Sequence, residues 1–210
     1  MYIENIFVLI AAPLAVCLLC LRGRARLAVG GLLIGMVVCL FSAYVTSFVA
    51  QMVGLEALRA AVEIAPTVEE TMKLVPLLLF LIVMKPDKEA VDLAFVTVAV
   101  GFATMESAFY LADAGIADPA MLLLRGLSTA MMHLVCGVVL GFGLMSAWER
   151  PWLRIAGTFG LLCLAMVYHG LFNLLVAAGE PVSIAAIMMP LATLIPILAY
   201  RRYRRKIKGM

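Results

Sequence analysis

Charged residues are scarce in this 210-residue chain, at 14% of the composition, while hydrophobic residues make up 65%. A soluble domain has about 25% charged residues and about half apolar residues, so this scarcity excludes a water-soluble fold. The composition predicts an all-α, polytopic transmembrane helix bundle in which residues 1–210 form a single integral-membrane domain. Any chemistry that the chain performs must therefore lie among its helices.

The chain also lacks the features of several other classes. Its formal net charge is only +3, and the basic residues lie in short loops and a tail, which is typical of membrane topology and not of nucleic-acid binding. The five cysteines lie inside apolar stretches, where they pack as small hydrophobic residues, and no further ligands accompany Cys17 and Cys20. The first apolar stretch has no basic segment before it and no small-residue cleavage site, so we expect a retained span.

Seven apolar stretches are long enough to cross a bilayer, since about 20 residues span its hydrocarbon core. They cover residues 3–21, 28–50, 66–84, 91–112, 120–147, 153–178 and 183–200. Basic residues follow the first, third, fifth and seventh stretches, whereas Arg59 lies in an opposite loop. The positive-inside rule thus predicts about seven spans, with the N-terminus outside and the C-terminus cytoplasmic. The basic tail, 201–210, would then lie against the anionic inner leaflet of the lipid bilayer.

Residues 66–73, Pro-Thr-Val-Glu-Glu-Thr-Met-Lys, place three ionisable side chains close together at the start of the third stretch. A charge at the centre of a spanning helix costs about 2.5–3.5 kcal/mol on insertion scales, so such residues usually face a protein interior or a watered cavity. Glu69, Glu70 and Lys73 are therefore candidate functional residues, although a solvated helix start has the same composition. Lys73 stands four residues after Glu69, which predicts an ion pair with Glu69 and favours Glu70 as the reactive carboxylate.

Residues 51–65 connect the second and third stretches and are amphipathic at helical spacing, with Leu55, Leu58 and Val62 on one side. This pattern predicts a helix that lies flat on the outer surface. Two interpretations stay open: an ordinary surface helix between two spans, or a gate that controls the access of a substrate to the bundle.

The other polar residues within the stretches are few and recur one helical turn apart. In chain order they are Glu106 with Tyr110, Arg125 with Thr129 and His133, and His169 with Asn173. At about 1.5 Å per residue, the glutamates and histidines lie about 5–12 Å from the outer ends of their helices. The sequence therefore predicts one polar site in the outer half of the membrane, inside a catalytic core of about residues 66–178.

Carboxylates beside imidazoles can take a proton from water and stabilise a developing oxyanion, as amide hydrolysis requires. The same residue types suit a zinc ion held by Glu70, His133 and His169, but the His-Glu-x-x-His spacing of many zinc peptidases is absent. We therefore expect no cofactor, with zinc as the alternative. A non-catalytic peptide-binding or immunity protein and a proton-coupled transporter also remain open, because intramembrane glutamates and histidines build proton relays as well.

These motifs resemble those of the PrsW family of intramembrane proteases, within the wider superfamily of CAAX-prenyl proteases and bacteriocin-processing proteins. The resemblance runs from residue 66 to residue 173, about half of the chain. Its matching motifs are Glu69-Glu70-x-x-Lys73, Gly101-Phe-x-x-x-Glu106-x-x-x-Tyr110, His133 with Gly137, and His169-Gly170-Leu-Phe-Asn173.

The resemblance implies a glutamate-type intramembrane protease of the bacterial cytoplasmic membrane. Its substrate would be a membrane-anchored protein or peptide, such as an anti-sigma-factor-like regulator, cut near the outer face. The implied catalytic residues are Glu69, Glu70, His133 and His169. The supporting or oxyanion residues are Lys73, Glu106, Tyr110, Arg125 and Asn173.

Overall fold

The structure of the protein is a computed structural model that describes residues 3–114, 119–148, 150–179 and 181–208. Within these ranges every regular element is an α-helix, which confirms the all-α prediction. The helices of this part of the chain are α1 (Ile3–Cys20), α2 (Gly23–Val53), α3 (Ala57–Glu63), α4 (Ala65–Met84), α5 (Lys88–Ala114), α6 (Pro119–Ala147), α7 (Pro151–Ala177) and α8 (Val182–Lys208).

Six helices of the described ranges are long and apolar enough to cross a membrane, namely α1, α2, α5, α6, α7 and α8. This result confirms an integral membrane protein. The predicted third span corresponds to α4, which has 20 residues but carries Glu69, Glu70 and Lys73 within its apolar sequence. The count of seven spans and the N-outside orientation stay predictions.

The α2 helix packs directly against α5 because glycines remove side chains from the contact. A Cβ atom on Gly35 would lie 2.1 Å from the carbonyl oxygen of Val98, and one on Gly101 would lie 2.1 Å from that of Leu32. Gly31, one turn before Gly35, faces α5 in the same way. Small residues one turn apart let two membrane helices approach through their backbones, which places α5 firmly beside α2.

The main apolar core joins α4, α5, α6 and α7, and it includes the buried Phe95 of α5. A Cβ atom on Gly137 or on Gly141 would lie 3.0 Å from an atom of Phe95. Gly137 and Gly141 therefore form a close-packing surface of α6 against α5. This contact also carries His133, one turn before Gly137, towards α5.

A smaller core joins α2 and α5 through the buried side chains of Met36, Cys39, Phe102 and Met105. The α1 helix lies at the edge of the bundle, since none of its residues is buried. All five cysteines are free thiols. Cys39 and Cys136 are buried, as expected of small packing residues, whereas Cys17 and Cys20 are exposed.

The predicted surface segment contains α3, which follows the C-cap of α2 at Gly54. Gly54 has a φ of +70°, a left-handed conformation that glycine adopts without strain and that turns the chain out of α2. The Arg59 guanidinium pairs with Glu63 at 2.8 Å on the exposed side, whereas Ala60 is buried. The α3 helix contacts both α4 and α7, so it covers the N-terminal end of α4 and the C-terminal end of α7.

Candidate active site

The α4 helix places an acidic and a basic side chain together in the interior of the bundle. Its first turn contains Pro66, which lacks an N–H at a position where no helical hydrogen bond is lost. The side chains of Glu70 and Lys73 are 1% and 5% exposed, and Lys73 Nζ donates to Glu70 Oε1 at 2.6 Å. The prediction that Lys73 pairs with Glu69 is wrong, because the i, i+3 spacing brings Lys73 onto the interior face that Glu70 occupies.

His169 of α7 reaches the same carboxylate. Its Nδ1 lies 2.8 Å from Glu70 Oε1 and donates, because the carboxylate that Lys73 neutralises is an acceptor. The other ring nitrogen, Nε2, is then unprotonated in the neutral imidazole. It lies 3.8 Å from Oε2 of Glu69, and both atoms are buried without a hydrogen-bond partner among the described residues. Two acceptor atoms without donors therefore face each other.

His133 of α6 lies between Lys73 and Glu106 and is fully buried. The Lys73 ammonium donates to His133 Nδ1 at 2.8 Å, so the ring proton is on Nε2, which donates to Glu106 Oε2. Because Lys73, His133 and Glu106 belong to α4, α6 and α5, this chain of bonds joins three helices. The His133 ring also meets the His169 ring edge-on, with 4.9 Å between their centroids.

An aromatic side chain shields the buried end of this network. The centre of the Phe102 ring lies 4.4 Å from Lys73 Nζ and 4.9 Å from the centre of the His133 ring. Phe102 was not predicted as a site residue. Its signal in the sequence is its position one turn before Glu106 on the same helix, which puts both side chains on one face.

Among the residues that the structure describes, the site holds three carboxylates, from Glu69, Glu70 and Glu106, and one ammonium, from Lys73. When all three carboxyl groups are ionised and both histidines are neutral, negative charge is in excess. Buried charge of one sign is unfavourable in apolar surroundings unless a counter-ion or hydrogen bonds compensate it. The electrostatics of the site therefore favour the binding of a cation.

Three side chains have donor atoms in position for a metal. One ligand atom from each of Glu69, His133 and His169 lies within 4.8 Å of the others. One carboxylate and two imidazoles form the ligand set of many catalytic zinc sites. Two of these three residues, Glu69 and His169, carry the unpartnered atoms Oε2 and Nε2, which lie 3.8 Å apart. The structure thus groups Glu69, instead of the predicted Glu70, with the two histidines, because Glu70 is already bonded to Lys73 and His169.

Two other predicted residues, Arg125 and Asn173, make contacts outside the group of Glu69, His133 and His169. Arg125 of α6 is exposed, and its guanidinium lies 3.9 Å from the centre of the Tyr110 ring. Asn173 of α7 donates through Nδ2 to the carbonyl oxygen of Ala61 at 3.0 Å. The oxyanion role of Asn173 stays a prediction, and this hydrogen bond ties α7 to α3 above the site.

One of three comparisons with known proteins gave a match, and its description agrees with a metal site. Neither the curated proteins nor the solved structures gave a significant match to the chain. A family model does match, the PrsW-protease model, which describes a PrsW family intramembrane metalloprotease and covers residues 23–200. This range includes every side chain of the site and most of the 210 residues. The chain therefore belongs to the PrsW family of intramembrane metalloproteases.

Proposed function

We propose that the protein is an intramembrane endopeptidase that hydrolyses a peptide bond of a membrane-anchored protein or peptide beside Glu69 and His169. The observation that carries this proposal is the pair of buried acceptor atoms, Glu69 Oε2 and His169 Nε2, which lie 3.8 Å apart without donors among the described residues. Buried polar atoms are nearly always hydrogen-bonded, so exceptions require an explanation such as a ligand, an ion or a catalytic role. Membership of the family supports a protease as the enzyme class.

Glu69 is the residue that we assign to proton transfer. Its side chain is 14% exposed, against 1% for Glu70. Its buried Oε2 has no partner among the described residues, whereas Oε1 of Glu70 is already bonded to Lys73 and His169. Its Oε2 can accept the proton that water loses as the water oxygen attacks the carbonyl carbon of the peptide bond. The same carboxyl group can then give that proton to the departing amine nitrogen. This assignment replaces the preference for Glu70, which depended on the incorrect pairing of Lys73 with Glu69.

Glu70 and Lys73 are positioning residues in this scheme. Glu70 holds His169 with its Nδ1 protonated and its Nε2 towards Glu69, and a carboxylate at this position increases the basicity of the ring. Lys73 compensates the charge of Glu70 and fixes the tautomer of His133. In a metal-free scheme, His133 is thereby held as a donor through Nε2, the form that can stabilise an oxyanion once its bond to Glu106 is exchanged.

We infer that one carboxylate oxygen of Glu69, together with His133 and His169, holds a divalent metal ion, so that the other oxygen of Glu69 stays free for proton transfer. Zinc fits these donor types best. When bound, zinc supplies Lewis acidity towards water and the peptide carbonyl group. The bond between His169 and Glu70 supports this assignment, because histidines that ligate zinc usually donate their second N–H to a carboxylate or carbonyl. The excess of carboxylates over ammonium groups favours the same conclusion.

A metal-independent, glutamate-type protease is the second candidate, and one observation favours it. Both ring nitrogens of His133 already have partners, Lys73 and Glu106, so His133 can bind a metal only if one of these bonds is exchanged. Cleavage assays on protein dialysed against a chelator distinguish the two schemes. Loss of cleavage that zinc restores, with about one zinc ion per chain, supports the metal scheme, whereas full cleavage by metal-free protein supports the glutamate scheme.

We also propose that the chain belongs to the wider CAAX protease superfamily.

We propose further that cleavage occurs near the outer face of the membrane. The positive-inside rule supports the outer face, because the acidic pair lies near the N-terminal end of α4 and basic residues follow its C-terminal end. A library of single-span reporter peptides in liposomes tests the substrate class. Products cut within the outer half of the reporter are expected, whereas peptides that bind without cleavage would favour the non-catalytic alternative.

A further inference from the structure

An apolar groove of about 880 Å³ lies between α4 and α7 on the outside of the bundle, away from the carboxylates of the active site. Val75 and Ile82 of α4 form one wall, and Phe159 of α7 lies on the other. The groove extends along α4 from Thr71 to Lys85, a length of about 21 Å at 1.5 Å per residue. The hydrocarbon region of one leaflet is roughly 15 Å deep, so the groove is long enough for an acyl chain.

Two cations lie at the end of this α4–α7 groove. Lys85 ends α4 in a left-handed conformation, with a φ of 44°, and it is exposed. Arg154 is held in place, because its Nε and Nη2 donate to the carbonyl oxygen of Trp148 at 3.2 and 3.0 Å. The guanidinium also lies 5.1 Å from the centre of the Trp148 ring. Tryptophan is enriched at the level of the lipid headgroups, so this end of the groove has the composition of a membrane interface.

The charges at this end are not compensated by carboxylates among the described residues. Neither Lys85 nor Arg154 forms an ion pair with a carboxylate of the described residues. By contrast, Arg24 pairs with Asp87 and Glu89, which follow α4 at the same end. The two groove cations therefore present a positive site directly above an apolar surface.

We propose that the α4–α7 groove binds one anionic phospholipid of the adjoining leaflet, with its phosphate at Lys85 and Arg154 and an acyl chain along α4. Basic pockets between transmembrane helices are suited to lipid headgroups. Charge also argues against a substrate helix as the occupant, because the cytoplasmic flank of a membrane-anchored protein is usually basic and would be repelled. The bound lipid connects the helix that carries Glu69 with the helix that carries His169.

The test is the retention of lipid by the purified full-length protein. Protein in mild detergent is mixed with equal amounts of phosphatidylglycerol and phosphatidylcholine, and bound lipid is counted by native mass spectrometry. We expect a complex with phosphatidylglycerol at a stoichiometry of about one per chain. The double substitution Lys85→Gln with Arg154→Gln should lower its affinity about tenfold or more, because each basic residue near an anionic headgroup contributes about a fivefold gain.

The matched control is Arg22→Gln with Arg150→Gln, which removes two exposed positive charges outside the groove lining. This variant should retain phosphatidylglycerol as the wild type does. Equal retention of the two lipids by the wild type, or equal losses in both double variants, would overturn the proposal. The variant Ile82→Trp keeps both cations but fills the groove, and it should also lose the lipid. Unchanged retention in this variant would mean that the acyl chain does not lie there.

Discussion

The Nε2 atom of His169 faces Oε2 of Glu69 at 3.8 Å, while its Nδ1 is held at 2.8 Å by Glu70. Adjacent glutamates on one helix therefore make different contacts. Glu70 orients the imidazole, and Glu69 presents an oxygen without a donor among the described residues. Because packing of α4 against α7 sets this arrangement, these side chains are in place without a substrate, which is the condition for the electrostatic preorganisation that we propose.

Loss of the buried ammonium should destabilise the protein strongly. Lys73→Met leaves Glu70 inside the bundle without its counter-ion, and breaking a buried ion pair in this way costs about 3–5 kcal/mol. Unfolding of the purified protein, followed by tryptophan fluorescence, measures the change. Adding Glu70→Gln to this variant should recover most of the loss, because the Glu70 charge that Lys73 neutralises is then absent as well.

The control for this experiment is Arg59→Met, which breaks the exposed pair with Glu63. It should change the free energy of unfolding by less than about 1 kcal/mol. Similar losses for Lys73→Met and Arg59→Met would show that the Lys73–Glu70 pair is not enclosed as described.

The glycine contact between α2 and α5 should tolerate no methyl group. Gly101→Ala would place a Cβ atom 2.1 Å from the Leu32 carbonyl oxygen, so the helices must separate, and we expect a loss of about 1–3 kcal/mol. Gly160→Ala is the matched control, since nothing lies within 4 Å of its Cβ position and alanine favours the helix. A comparison of melting temperatures checks this prediction, which fails if both variants have the same melting temperature.

The hydrogen bond from Asn173 to Ala61 should hold α3 over the end of α7. Asn173→Leu removes this donor, so amide hydrogen exchange in residues 57–63 should become faster by about fivefold or more, as expected for a bond worth about 1 kcal/mol. Tyr168→Phe on the same helix removes a hydrogen bond to Thr193 of α8 and should leave exchange in α3 unchanged. Unaltered exchange in the Asn173 variant would rule out this holding role.

Metal binding should depend on His169. If zinc is held by Glu69, His133 and His169, the variant His169→Ala should retain less than about a tenth of the zinc found in the wild type, since one of three protein ligands is lost. Mass spectrometry of the metal content measures this ratio. The control Tyr168→Phe, next to the ligand but outside the group, should retain all of it. Equal zinc in wild type and His169→Ala would place any bound metal elsewhere.

Much of the fold could be predicted from the sequence because membrane helices have a strong signal. Long apolar stretches with basic residues at alternate ends identified the helices, and i, i+4 spacing with helix depth placed Glu106, His133 and His169 at one level. These arguments use only the helix repeat and the thickness of the bilayer. They describe which residues can meet, without describing which atoms bond.

The partners within the site could not be predicted for a physical reason. Lys73 can reach a carboxylate three or four residues before it, and both spacings are favourable on an isolated helix. Its bond to His133 of α6 decides in favour of Glu70, and that is a tertiary contact. The backbone contacts at Gly35 and Gly101 were missed for the same reason, since a glycine in one helix does not identify the helix that packs on it.

The cleavage rate of the Glu69→Gln variant tests the central claim most directly. Wild type, Glu69→Gln and the exposed control Glu63→Gln are reconstituted in liposomes with the same membrane-anchored reporter library, and products are quantified by mass spectrometry. Glutamine preserves the size of Glu69 but cannot accept the proton, so the rate should fall about 10²–10⁴-fold with unchanged unfolding behaviour, while the control cleaves normally. Cleavage by Glu69→Gln at the wild-type rate would contradict the assignment of Glu69 to the reaction.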